Sequence, residues 1–247
     1  MRRILFAVLL LIAPSAMALR TGDAVVILPI VGRFAGAGGT QWRTDVFIAN
    51  PYAPTDAVTL TFYVAGGPTL QRFTTIGVFS SAAFNDIVLT TFGLESASGQ
   101  LEIHSTYSTL EARARIYNVG SAAGEFGQNV PGLGLSSLRS QAFLYGLSGA
   151  NGNRLNIGVA NPNDAALQVT VRVSDKFNQT LHTETFAVGA HQTVQINDVF
   201  ARFGITPQAD VQVDFNSGSQ PLFGYASVVR NDTGDAIFVF GTSPNVL

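Results

Sequence analysis

Apolar residues occupy alternate positions over most of this chain. In 58–64 Val58, Leu60, Phe62 and Val64 fall on one side and Thr59, Thr61 and Tyr63 on the other; in 167–174 Leu167, Val169, Val171 and Val173 alternate with Gln168, Thr170, Arg172 and Ser174. A period of two built from β-branched and aromatic residues predicts strands that bury one face and wet the other. The same pattern predicts strands over 24–30, 43–51, 70–78, 99–106, 111–118 and 125–130, and a second set over 141–147, 154–162, 180–188, the run holding Val211, Val213 and Phe215, 222–231 and 236–240. Within 99–106 Leu101 and Ile103 point inward and Glu102 and His104 outward; within 111–118 Ala112, Ala114 and Ile116 alternate with Arg113, Arg115 and Tyr117. No long stretch carries the helical period of about 3.6 residues, which excludes a parallel α/β fold.

The two sets are copies. Arg43-Thr-Asp-Val-Phe-Ile-Ala-Asn-Pro51 returns as Arg154-Leu-Asn-Ile-Gly-Val-Ala-Asn-Pro162, and both close on Ala-Asn-Pro, the chemistry of a strand ending in an Asx turn. Phe84-Asn-Asp followed by a short apolar run and Gly93 is matched by Ile196-Asn-Asp and Gly204. An Asx residue before one or two turns and a glycine after them predicts a short helix, capped by the Asx side chain and left through a left-handed glycine. The expected fold is therefore all-β: two tandem antiparallel β-sandwich domains, Ig-like in the broad sense, related by internal duplication, each with one short capping helix. The first repeat is expected over 19–132 and the second over 140–247, joined by a Gly- and Ser-rich linker at 133–139.

Composition adds a compartment. Arg2 and Arg3, the apolar run from Ile4 to Ala13 and the small residues Ala16-Met-Ala18 read as a cleavable export signal over 1–18, the run being much shorter than the about 20 residues that span a bilayer. Export places the protein in the periplasm, at the cell surface or outside. Hydrophobic residues make up 47% and charged ones 12%, so both cores are well supplied and the surface is mostly neutral. The net charge of −2 and the scattered arginines, with Lys176 the single lysine, offer nothing to nucleic acid or anionic lipid. With no cysteine, disulfides and thiolate chemistry are excluded.

Chemical motifs are sparse. His104, His182 and His191 have no partner at metal-ligand spacing and read as surface residues. No nucleophile elbow, zinc-protease helix or phosphate loop occurs, and the acidic residues show no pairing of the kind glycoside hydrolysis needs. Asn231-Asp-Thr-Gly-Asp235 spaces oxygens as a calcium loop does, but its counterpart at 118–125 lacks most of them, so a hairpin turn is favoured. No enzyme activity, cofactor or metal is expected. What remains is a set of aromatic and arginine side chains that interrupt the polar alternation: Trp42 and Phe47 on one strand, and Arg113, Arg115 and Tyr117 in a stripe, with Glu102 and His104 expected across from it. Such residues are common anchors for a protein or glycan partner.

Residues 42–51 with their echo, the Asn85-Asp86 and Asn197-Asp198 pairs, and the segment from Ile116 to Pro131 resemble repeated β-sandwich domains of exported bacterial proteins of uncharacterised role. The resemblance implies adhesion, scaffolding or assembly and carries no catalytic residue. Three functions follow as expectations: a non-enzymatic interaction or scaffolding protein, a fibre subunit in which the apolar 24–30 strand completes a neighbour's sheet, and a carbohydrate-binding module using Trp42 or Tyr117.

Overall fold

The structure is a computed structural model that describes residues 24–242 apart from 37, 38, 53, 108, 109 and 121–123. The expected export signal at 1–18 and the C-terminal stretch containing Pro244 lie outside the described residues.

The first half consists of β1 (Val25–Ala35), β2 (Gln41–Asn50), β3 (Asp56–Val64), β4 (Thr69–Ile76), β5 (Ser80–Phe84), helix α1 (Ile87–Thr90), β6 (Ala97–Ser105), β7 (Glu111–Asn118) and β8 (Phe126–Pro131). A two-residue strand β9 (Leu133–Gly134) and one 3-10 turn (Leu135–Ser137) lead into the second half, which consists of β10 (Gln141–Leu147), β11 (Asn153–Ala160), β12 (Leu167–Ser174), β13 (Thr180–Val188), β14 (Thr193–Ile196), helix α2 (Val199–Phe203), β15 (Val211–Asn216), β16 (Phe223–Arg230) and β17 (Ala236–Phe240). All pairings are antiparallel. The all-β expectation holds.

In the first half the strands run β4-β3-β6-β1 in one layer and β5-β2-β7-β8 in the other; in the second they run β13-β12-β15-β10 and β14-β11-β16-β17. The two strand orders are the same, element for element. Each half has its own apolar interior, with Leu28, Ile48, Leu60, Phe62 and Leu101 in one and Leu144, Ile157, Val171, Val213 and Phe215 in the other. Leu60, Phe62, Leu101, Val171, Val213 and Phe215 are among the residues that the alternation placed inward.

Several local expectations change. The first strand runs on to Ala35 because it serves two layers: it pairs with β6, shifts register between Leu28 and Val31, and then pairs with β2 through Phe34 and Trp42. That position pairs Val25–Leu28 with β6, and Val26 and Ile27 also with β9, so much of the 24–30 stretch is used within its own sheet rather than held free for a neighbour. β5 and β14, too short for alternation to mark, pair with β2 and β11. The helices leave through Gly93 and Gly204, at φ +74 and +66, as expected. Side-chain capping holds for α2, where Asp198 accepts from the Ala201 amide, but not for α1, whose Asp86 makes no cap and instead pairs with Arg33 and Arg43. The 133–139 segment is no loose tether: β9 pairs with Val26 and Ile27, and Leu138 is buried.

Candidate functional site

The halves meet across a third apolar cluster. Ile27 of β1, Leu138, Ala160 of β11, and Phe223 and Tyr225 of β16 are buried in it, flanked by Ile30, Leu133, Leu135 and Phe238. The face receiving the first half is the outward side of β14-β11-β16-β17, where Tyr225 stands opposite Gly158 in register and stacks on Phe238 at 5.2 Å. Burying a large apolar side chain contributes about 1.5–3 kcal/mol, against about 0–1 kcal/mol for an exposed ion pair, so this cluster dominates the junction.

A polar shell surrounds it. Glu102, taken from the sequence as outward and wet, is buried: its Oε1 lies 2.8 Å from His191 Nδ1 and its Oε2 3.1 Å from His104 Nε2. His191 Nε2 reaches Asp164 at 2.8 Å, and the ring stacks on Tyr63 at 4.2 Å. His191 is thus a bridge between the halves rather than a surface residue, because the second half covers the outward face of β6. Burial pushes the Glu102 carboxyl up, but the hydrogen bonds and charges of His104 and His191 outweigh it and hold the group below its ordinary value. Burial, then the Glu102 carboxylate, push the Tyr63 phenol up to about 12. Among the described residues no group of His, Asp and Glu side chains is arranged to hold a metal ion. The 231–235 stretch is a hairpin turn in which the Arg230 amide donates to the Asp235 carbonyl and the Gly234 amide to the Arg230 carbonyl, with Asp232 paired to Arg230 at 2.8 Å.

The same outward face in the first half, on β5-β2-β7-β8, is open, and it carries four of the five residues singled out in the sequence. Phe47 stands opposite Arg113, Asp45 opposite Arg115 and Arg43 opposite Tyr117. The Arg113 guanidinium lies 4.7 Å from the Phe47 ring centre and that of Arg115 4.5 Å from Tyr117. Arg115 also pairs with Glu125, and the Tyr117 hydroxyl donates to Asp45 at 3.1 Å. Burial, then the Asp45 charge, push the Tyr117 phenol up to about 12. Glu102 and His104 do not stand across from this stripe; β6 belongs to the other layer.

Trp42 is on the opposite side of β2 from Phe47, packed on the first core. It lines a cavity of about 350 Å³ between the halves, with Phe34 and Ile30 beside it and Arg154, Asn156, Asn197 and Gln128 around it. Burial lowers the Arg154 value, and Asp198 opposes the shift.

No family model matches the chain, and no curated protein matches its sequence. Among solved structures, the Pleurotus ostreatus lectin in its apo form aligns at 12% identity with a TM-score of 0.24, covering 89% of this chain and 83% of that one. A beta-glucuronidase of glycoside hydrolase family 2 aligns at 11% identity and TM-score 0.18, and a family 2 beta-galacturonidase from Eisenbergiella tayi at 12% and 0.19. This chain spans only 24% and 35% of those two enzymes. Likenesses this weak assign neither ligand nor activity.

The sequence reading named the open face but missed Arg154, Asn156, Gln128 and Asn197. Two of these sit at outward positions of the 154–162 echo, a signal that was present. Trp42 shares the parity of Val46 and Ile48, so its inward side was also legible.

Proposed function

We propose that this is an exported, non-enzymatic interaction and scaffolding protein whose copies stack end to end, each contact repeating the one between its own halves. One observation carries the reading. The residues with which the first half rests on the second have equivalents in the second half, and these are uncovered. By register, Ile27 corresponds to Phe143 and Leu133 to Thr242, since Ile27 pairs with Leu133 and Phe143 bridges Thr242. Likewise Pro131 corresponds to Phe240 and Gln128 to Ile237. Tyr145, Ile237 and Phe240 are 63%, 66% and 42% exposed, and Tyr145 and Phe240 frame a shallow apolar depression with Phe143. An exposed apolar patch of this kind favours a partner surface.

The receiving face has its own open equivalent on the first half, that of Phe47, Arg113, Arg115 and Tyr117. Arginines above aromatic rings suit an aromatic, uncharged patch through cation–π contact. Such a contact joins unlike surfaces and leaves one of each exposed, which produces chains rather than closed dimers.

Sedimentation velocity over a range of concentrations tests this. Wild-type protein is expected to form a concentration-dependent series of species; Tyr145→Glu and Phe47→Ser should each shift it to monomer, and an equimolar mixture of the two should stop at dimers. A wild-type monomer at every concentration, or association untouched by both changes, refutes stacking. A hydrolytic activity abolished by replacing one carboxylate would refute the non-enzymatic reading.

A further inference from the structure

The cavity between the halves is lined by more hydrogen-bond donors than acceptors: Asp198, whose Oδ1 accepts from the Ala201 amide, Ser227 and Gln195 stand among the lining residues, but the free polar groups are mostly N–H. Three primary amides reach it, and in each the carbonyl oxygen is already engaged by the protein. Asn156 Oδ1 accepts from the Asp198 amide at 3.0 Å, Gln128 Oε1 from the Ser227 hydroxyl at 2.8 Å, and Asn197 Oδ1 from Gln195 Nε2 at 2.7 Å. Their NH2 groups have no acceptor among the described residues. Arg154 spends one guanidinium nitrogen on Asn231 at 2.9 Å and holds the remainder toward the cavity it lines. The indole N–H of Trp42 is likewise without a protein acceptor among the described residues, and its ring and Phe34 supply an apolar wall.

We infer that this cavity binds an oligosaccharide, with an apolar sugar face against Trp42 and hydroxyl or carboxylate oxygens accepting from Asn156, Asn197, Gln128 and Arg154. A mostly preformed hollow of about 350 Å³, with an aromatic wall and a few convergent polar groups, has the dimensions of a small-ligand site. Donors whose own acceptor atoms are already satisfied select a ligand rich in oxygen lone pairs, because donors left unmatched on desolvation are costly. An extended peptide is disfavoured: it docks by backbone pairing along a strand edge, which needs donors and acceptors in alternation. The site is built from both halves, so neither half binds alone. It stands apart from the stacking surfaces and does not depend on them.

Trp42 is the single tryptophan of the chain, so its emission reports on the cavity directly. Titrating the full-length exported protein with short defined oligosaccharides, one series neutral and one bearing uronates, is expected to give a saturable change in emission in at least one series. Asn156→Ala and the more exposed Asn197→Ala should each weaken binding about tenfold, the equivalent of one hydrogen bond of about 1.4 kcal/mol. Arg154→Gln should cost more in the uronate series than in the neutral one, while Phe47→Ser and Tyr145→Glu, which disrupt stacking, should leave the titration unchanged. No saturable change in either series, a change that survives both asparagine replacements, or saturation only by a random peptide pool would overturn the inference.

Discussion

The ring of Tyr225 occupies the space in which a side chain on Gly158 would stand, the two residues facing each other across β11 and β16. At the corresponding register in the first half the sizes are reversed: Phe47 lies under the guanidinium of Arg113. The covered face thus has a small residue beneath a buried aromatic, and the open face has a large one beneath a solvated cation. Replacing Gly158 by Ala should push Tyr225 into the junction and cost about 1–3 kcal/mol, the usual range for an overfilled core. For a chain of this size that is a fall in Tm of about 2–4 °C per kcal/mol, readable by calorimetry. An unchanged Tm would show that Tyr225 has room to move.

The Ala-Asn-Pro corners owe their recurrence to a buried asparagine. Asn161 donates to the carbonyls of Ala165, Val188 and Gly189 and accepts from the Asn163 amide; Asn50 donates to Pro54 and Ile76 and accepts from the Tyr52 amide. Asn161→Ala strands several buried backbone groups and should cost about 3 kcal/mol, with Asn50→Ala somewhat less. Urea denaturation of both variants measures this. Asn→Asp is the sharper control, since it keeps the acceptor and loses the donor.

Acid should loosen the junction before it unfolds the cores. The Glu102 carboxyl is held below its ordinary value of 4.5, so its contribution is present above that pH and is lost as pH falls through the lower folded value. The contact between the halves should therefore weaken at pH below about 4.5, seen as faster amide exchange in β1 and β14 while the interiors stay protected. Glu102→Gln should remove most of this dependence; an acid response that persists in it would place the sensitive group elsewhere.

Half of the six tyrosines should ionise late. Tyr63 and Tyr117 titrate near 12, and the fully buried Tyr225 is raised further still by desolvation. In a rapid pH jump to about 11, above the ordinary phenol value of about 10, Tyr63, Tyr117 and Tyr225 should stay protonated until unfolding begins. Because the unfolded chain releases these protons earlier, stability should fall steadily as pH rises from 10 toward 12. Full ionisation in the dead time would contradict the burial of these rings.

Trypsin should fail to part the halves. Arg139 is exposed, yet its backbone bridges Leu222 on one side while Leu138 is buried on the other. Native protein should resist cleavage after Arg139, and Leu138→Ser should open it. Ready cutting of the wild type would mean that the connection is a loose linker after all.

Alternation was enough to mark most of the strands and both interiors, because a side chain on a pleated strand has only two directions and the buried set must be apolar. It failed where an element is too short to alternate, as in β5 and β14, and where one strand serves two layers, as in β1. For the candidate surfaces, the stripe of Phe47, Arg113, Arg115 and Tyr117 was visible because it lies on adjacent strands of one copy. The donors around Trp42 belong to both copies, and no local pattern links Gln128 to Asn156.

By itself, then, the order of residues determined the strands, the duplication, the Asn-Pro corners and the apolar interior of each half, since all of these arise from near neighbours or from a period repeated twice. Which outward faces stay outward was decided only by the tertiary structure. Glu102 and Tyr225 lie at outward positions yet are buried, and Arg113, at the position corresponding to Tyr225, is exposed, because whether a face meets water depends on where the other half docks, a long-range fact that periodicity does not encode.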